Sequence, residues 1–523
     1  MNMIRKIFTV SISVLSSRIL GFIRETLIAA TLGIGTIADI FYIAFRFPNL
    51  FRRLLAEGTF HAAFIPLFTH EKEKNGSNSA QRLSSEIFSV LFAGLLVLTI
   101  IIELFMPFLV RFVLAPHIYS HPNEYALTIQ LSTVMFPSLI CISLVALISG
   151  ILFALGKYLI ASISPIFLNI VMISVLIYTR SNNFSLEDTV LFLSWGVLLS
   201  SIIQLLVVYF CTRISGIKLS LKYPYLTDNV KKFLKITLPV MFTASFIQIN
   251  QIVGQSIASG KKGTISSLQY AERIYQLPLG VIGFAIGIVL LPELSRILKS
   301  GDKEKTILLQ SQAIEFVFFI AIPTVVGLCT LSKEIVQLLY ERGAFFSEHT
   351  LIVSSILSIY SIGIPAFILI KTLQPAFYAR EDTKTPMKFI FISSLINFGV
   401  SITLFPFIGG YGIACAEVLS GWINTLCLVI TLWKHKQILL SSKTIHRILC
   451  VFVSSGIMWI VIIILKSYFS TQPVIEQTFI HQFKTLIIIL LGAFLSYFCS
   501  IIFFVGKDFI PFLQKTRRKD HFG

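Results

Sequence analysis

Residues 125–156 read YALTIQLSTVMFPSLICISLVALISGILFALG, 32 positions without an Asp, Glu, Lys or Arg. A helix needs about 20 mostly apolar residues to cross a bilayer, so this stretch reads as a membrane span. Eleven further charge-free runs share its character, at residues 87–102, 158–179, 189–212, 236–260, 274–292, 316–332, 349–370, 389–416, 418–433, 448–465 and 485–506. Two earlier stretches, 7–33 and 37–67, are apolar but studded with charge. Arg5 and Lys6 give the first of them the look of a secretory leader, yet Arg18 falls where its apolar region should end and no A-x-A cleavage site follows. It is kept as a span, and the expected total is fourteen.

Composition agrees. Of 523 residues 55% are hydrophobic and 13% charged, against roughly 25% charged in an ordinary soluble protein. A net charge of +18 would suggest a nucleic-acid partner in a soluble chain, but the apolar background argues against one. Short cytoplasmic loops collect Lys and Arg. With the N-terminus inside, alternate loops hold 28 cations on the cytoplasmic side and 8 outside, which predicts an even number of spans and both termini in the cytoplasm. Lys261 and Lys262 run against the rule. Seven cations remain in or beside spans: Arg18, Arg24, Arg46, Arg52, Arg53, Arg273 and Lys371.

A shift of about 227 residues brings landmarks into register: Pro137 and Asn169 onto Pro365 and Asn397, Pro66 onto Pro292, Arg46 onto Arg273. Six spans map onto six. The chain therefore reads as an all-α polytopic membrane protein, with two six-helix lobes in parallel pseudo-twofold repeat and two C-terminal helices. The divisions are 1–212, a cytoplasmic linker 213–235, a second lobe 236–433, and 434–523 for the last two spans and a basic tail. Parallel two-lobe repeats are a transporter architecture that works by alternating access.

An ionisable group inside a span costs at least roughly 2.5 kcal/mol and usually faces a cavity or a partner. Local pairing offers Arg18 with Glu25, Arg46 with Asp39, and Arg53 with Glu57, leaving Arg24, Arg52 and Arg273 in surplus. Arg18 and Arg24 diverge by about 120° on a straight helix, and Gly21 between them could bend α-helical backbone enough to bring both into one cavity. A cationic surplus asks for an anion, and the guanidinium fork matches phosphate. Neither G-x-x-x-x-G-K-[ST] nor H-E-x-x-H occurs, the seven cysteines are scattered, and the outside loops are under 20 residues long. ATP hydrolysis, a metal centre and an extracytoplasmic catalytic domain are not expected, and neither is a cofactor.

The motifs Ser17-Arg18-Ile19-Leu20-Gly21-Phe22-Ile23-Arg24-Glu25, Phe47-Pro48-Asn49-Leu50-Phe51-Arg52-Arg53, Ala56-Glu57-Gly58, Tyr270-Ala271-Glu272-Arg273, Leu339-Tyr340-Glu341-Arg342-Gly343-Ala344-Phe345 and Phe377-Tyr378-Ala379-Arg380-Glu381-Asp382-Thr383-Lys384-Thr385-Pro386 closely resemble those of the MurJ (MviN) lipid II flippase family. The resemblance implies a bacterial inner-membrane protein with fourteen helices, a cationic cavity, and a groove at the last two helices for a polyprenyl tail. It implies lipid II as substrate, with Arg18, Arg24 and Arg273 on the diphosphate and Asp39, Arg52, Glu57 and Lys371 functionally sensitive. Arg46 and Asn49 complete the candidate substrate-binding set. Some members bind sodium through acids of the seventh and eleventh spans. Residues 236–260 and 389–407 contain none, so Asn397 is the one candidate metal ligand, and sodium, proton and chloride stay open as coupling ions. Membrane phospholipids are the other expected partner. The rival readings are an exporter of another polyprenyl-linked glycan or of drugs, and a membrane glycosyltransferase.

Overall fold

A computed structural model describes residues 3–55, 59–299, 303–435, 437–438, 441–470 and 479–506. Among these the chain forms helices and no strand, as a bilayer interior demands of a chain that must satisfy its own backbone hydrogen bonds. Ten helical segments are long and apolar enough to cross a membrane, and they carry ten of the twelve charge-free runs. The other four expected spans fall on helices of 30, 20, 31 and 36 residues, described below as α1, α2, α10 and α11. The chain is a multi-pass membrane protein.

It packs as two compact units. The first runs to Ser266 and includes residues 342–346. It holds α1 (Met3–Leu32), α2 (Thr36–Leu55), α3 (Thr59–Leu104), α4 (Met106–Leu109), α5 (Pro122–Met135), α6 (Ser138–Ala154), α7 (Tyr158–Ile163), α8 (Ile166–Ser181), α9 (Leu186–Ile214) and α10 (Asp228–Ala258), with the first turn of α11 (Thr264–Lys299). The second holds the rest of α11, then α12 (Lys303–Thr330), α13 (Ser332–Tyr340), α14 (Ser347–Tyr378), α15 (Lys384–Ile408), α16 (Gly410–Lys434), α17 (Ser442–Ser470) and α18 (Phe479–Val505).

Packing therefore divides the chain differently from the repeat, which assigned α10 to the second half. Side chains explain the difference: Phe64 of α3 meets Phe233 edge-on at 6.5 Å, and Arg53 of α2 donates to Gln251 of α10 at 3.1 Å. Two span boundaries also move. The expected span 37–67 is α2 up to Leu55 followed by the start of α3, and α3 itself breaks at Gly76 (φ 82°, ψ 177°). The run 389–416 crosses from α15 into α16 through Gly409 at φ 59°, a conformation that suits glycine.

The first unit is built around α2, whose Ile40, Phe41, Ile43, Ala44, Phe47 and Leu50 are buried. Phe47 stacks on Phe136 at 5.1 Å, and Phe51 meets the same ring edge-on at 5.6 Å. Lipid is as apolar as these side chains, so close packing, and not exclusion from water, holds the helices together. In the second unit Phe367 of α14 occupies a slot between Gly363 and Gly421 of α16. A Cβ on either glycine would come within 2.7 or 2.6 Å of the ring. There α17 is tied at two levels: Arg447 pairs with Glu315 of α12 at 3.1 Å, and Lys466 pairs with Glu334 of α13 at 2.7 Å.

Candidate functional site

The charged first span resolves into a pairing that helical spacing does not suggest. Arg24 Nη2 donates to Glu25 Oε2 at 3.2 Å, although the two are sequence neighbours. Glu25, 2% exposed, also accepts from the Tyr42 hydroxyl at 2.7 Å. Arg24 Nη1 donates to Asn169 Oδ1 of α8 at 3.0 Å, and its guanidinium carbon lies 5.5 Å from the centre of the Phe45 ring. Arg24 is 7% exposed, and its buried Nε has no hydrogen-bond partner among the described residues. Leaving such a donor unsatisfied costs about 1–3 kcal/mol. The expected Arg18–Glu25 pair does not form. Arg18 is exposed and makes no hydrogen bond or ion pair among the described residues.

On α2 the polar residues act on backbone and on one another. Both oxygens of Asp39, which is 4% exposed, are engaged: Gly263 N–H donates at 2.6 Å, and Ser266 donates its N–H and its hydroxyl at 2.7 Å each. Asp39 thus caps the first turn of α11, where N–H groups lack intrahelical partners and an anion is favoured. The expected Arg46–Asp39 pair is replaced by this cap, and Arg46 sits half-buried on α2. Pro48 supplies no N–H to the helix. Beside it Asn49 donates its side-chain amide to Phe45 C=O at 2.8 Å and accepts from Arg52 Nε at 3.1 Å. Asn49 therefore orients Arg52. Glu57, the expected partner of Arg53, lies outside the described residues.

Residues 342–346 join this unit through a close backbone crossing over the end of α1. Ala344 N–H donates to Ala30 C=O at 2.8 Å. Gly33 (φ 62°) and Gly343 (φ 61°) flank the crossing, and a Cβ would come to 2.3 Å from Ala344 O in the first case and 2.2 Å from Ala30 O in the second. No other residue fits either position. On the neighbouring loop Lys262 pairs with Glu124 at 2.8 Å, so one of the two cations that break the loop-charge rule is balanced locally.

In the second unit Arg273 is half-buried on α11, and its buried Nε has no partner among the described residues. Glu272 beside it accepts from Gln276, one turn on, at 2.6 Å. Lys371 is exposed on α14, four residues before Pro375. Asn397 is buried on α15 and accepts from Ser401 at 3.4 Å. Among the described residues no three His, Cys, Asp or Glu side chains gather as metal ligands. Past α14, hydrogen bonds from Thr385 hold the Asp382 carboxyl below its ordinary range, and Asp382 caps α15 through Thr385 N–H at 3.0 Å.

The same unit contains an apolar cavity of about 470 Å3 lined by α12, α17 and α18, with Phe319, Pro323, Gly327, Ile462, Leu490 and Tyr497 among its walls. The Tyr497 hydroxyl is satisfied by Phe319 C=O at 2.7 Å, so the walls offer a ligand almost nothing polar.

Residues 28–484 match the family model described as "Lipid II flippase MurJ". The chain belongs to the MurJ lipid II flippase family. A relative from Rhizobium tropici named "Probable lipid II flippase MurJ" is 46% identical over 99% of this chain and 97% of its own length. One from Burkholderia cenocepacia named "Lipid II flippase MurJ" is 32% identical over 83% of this chain and 84% of its own. Among solved structures, "Lipid II flippase MurJ, inward closed conformation" superposes with a TM-score of 0.76 at 28% identity, covering 95% of this chain and 98% of that one. An inward-facing multidrug transporter of the MATE family shares the fold at 14% identity and a TM-score of 0.67, over 80% of this chain and 94% of its own. The MurJ resemblance of the sequence motifs is thereby established as family membership.

Sequence reasoning missed Asn169 as a partner of Arg24 and Tyr42 as a partner of Glu25. The repeat had marked Asn169, but only as a landmark.

Proposed function

We propose that the protein is a lipid II flippase of the bacterial inner membrane, with both termini in the cytoplasm, and that it moves the polyprenyl-diphosphate-linked disaccharide-pentapeptide outward by alternating access for peptidoglycan synthesis. Arg18 and Arg24 are diphosphate ligands contributed by the first unit, and in the second unit the apolar groove of α12, α17 and α18 takes part of the polyprenyl tail. Asp39 and Asn49 serve this site indirectly, Asp39 by capping α11 and Asn49 by orienting Arg52.

The observation that supports this reading best is the state of the α1 arginines. Arg18 is exposed and unpaired among the described residues, and Arg24 keeps a buried N–H without an acceptor. An anion with several oxygens supplies what both lack. No bond is made or broken, so the protein needs no catalytic group. With the cell interior negative, outward movement of two negative charges is favoured by about 4.6 kcal/mol per 100 mV. Membrane potential can therefore drive net export.

Lipid II accessibility in proteoliposomes, with the potential imposed or collapsed, tests the proposal. Export that rises with an inside-negative potential and leaves lipid II chemically intact is expected. Consumption of lipid II, or no relocation under any potential or ion gradient, contradicts it.

A further inference from the structure

Arg24 is held by groups of different kinds. Glu25 cancels much of its charge, Phe45 faces its guanidinium, and Asn169 is its one neutral hydrogen-bond acceptor among the described residues. Asn169 is 5% exposed on α8 and uses both ends of its amide. Oδ1 accepts from Arg24 Nη1 at 3.0 Å, while Nδ2 donates to the backbone carbonyl of Ser17 at 3.0 Å. One side chain therefore ties together two positions of α1 that are seven apart, the carbonyl of Ser17 next to Arg18 and the guanidinium of Arg24.

We infer that Asn169 is the positioning residue of the diphosphate site: it fixes α1 against α8 and turns the Arg24 guanidinium so that its Nε–H and remaining Nη–H groups stay available to substrate oxygens. This inference rests on the diphosphate reading of Arg24 and adds a residue to it. Chemistry explains why the position is an amide. A guanidinium has five donors in a rigid plane, and a neutral acceptor takes one of them without adding negative charge. A carboxylate at 169 would take the same donor, yet it would complete a second ion pair with Arg24, repel the incoming diphosphate, and lose the donor to Ser17 C=O. An aliphatic residue would leave the guanidinium free to turn wholly toward Glu25.

The test is a double-mutant cycle on binding of purified lipid II to the full-length protein in nanodiscs, with the thermal midpoint of each variant measured alongside. N169A is expected to bind roughly tenfold or more weakly, the scale of one charge-assisted hydrogen bond, and N169D more weakly still, since it keeps the acceptor but adds charge. N169A introduced into R24A should produce no further loss, because Asn169 acts through Arg24. N169D keeps the shape of the side chain and carries the test if N169A fails to fold. Unchanged binding by N169A or N169D while R24A binds weakly overturns the positioning role alone, as do losses that multiply in the double variant. Wild-type binding by R24A overturns the diphosphate reading beneath it.

Discussion

Asp39 accepts the backbone N–H and the hydroxyl of Ser266, each at 2.7 Å, so one carboxylate on α2 satisfies the first turn of α11. With Gly263 N–H added at 2.6 Å, three donors converge on a buried anion. Asp39→Ala should destabilise the protein by about 4 kcal/mol or more, since three hydrogen bonds are lost and each is worth roughly 1.5–3 kcal/mol when the acceptor is charged. Ser266→Ala removes only the hydroxyl bond to the carboxylate and should cost about 1.5–3 kcal/mol. Thermal unfolding of both variants in detergent checks the order.

Gly343 crosses Ala30 with no room for a side chain. Gly343→Ala combines left-handed backbone strain of about 1–2 kcal/mol with a Cβ placed 2.2 Å from a carbonyl oxygen. Gly216→Ala is the control, because Gly216 has φ 94° but nothing within 4 Å of a Cβ. The Gly343 variant should melt well below the Gly216 variant; equal midpoints would mean that the crossing opens freely.

The Glu315–Arg447 pair should couple strongly. Glu315 is 5% exposed while 26% of the Arg447 side chain reaches the surface, so removing Arg447 leaves a buried carboxylate without its partner, at a cost of about 1–3 kcal/mol. Arg447→Met alone should lower the melting temperature more than Arg447→Met combined with Glu315→Gln. Stability measurements on the two singles and the double decide the point.

Gly327 lines the apolar groove, and a Cβ built there meets nothing within 4 Å. Gly327→Phe should therefore fold while narrowing the groove. Transport of full-length lipid II is expected to fall several-fold, and that of a short-prenyl analogue much less. Equal losses for both substrates would separate the groove from the tail.

The spans were legible because charge-free runs of membrane length are a statement about solvent, and ten of the twelve runs lie in helices that meet it independently. Helix ends were less so: Gly409 closes α15 inside an unbroken apolar run, and composition does not register a change of φ. The arginines of the candidate site stood out because a charge in a span is costly wherever it points. Their partners did not. Helical spacing favoured Arg18 for Glu25, yet long side chains let Arg24 reach its own neighbour, and Tyr42 and Asn169 come from α2 and α8 by tertiary packing alone. Asp39 was visible as a charge, but its role depends on a turn more than 220 residues away in sequence.

Arg18 offers the sharpest test of diphosphate binding by α1, since it is exposed and carries no pairing among the described residues. Substitution of such a residue ordinarily changes stability by no more than about 0.5 kcal/mol, so any functional loss reports on substrate. The measurement is lipid II accessibility at the outer surface of cells whose only flippase is the Arg18→Ala protein, with its membrane level and thermal midpoint determined in parallel. A folded protein at normal abundance that exports no lipid II is expected. Wild-type export by that variant would contradict diphosphate binding by α1.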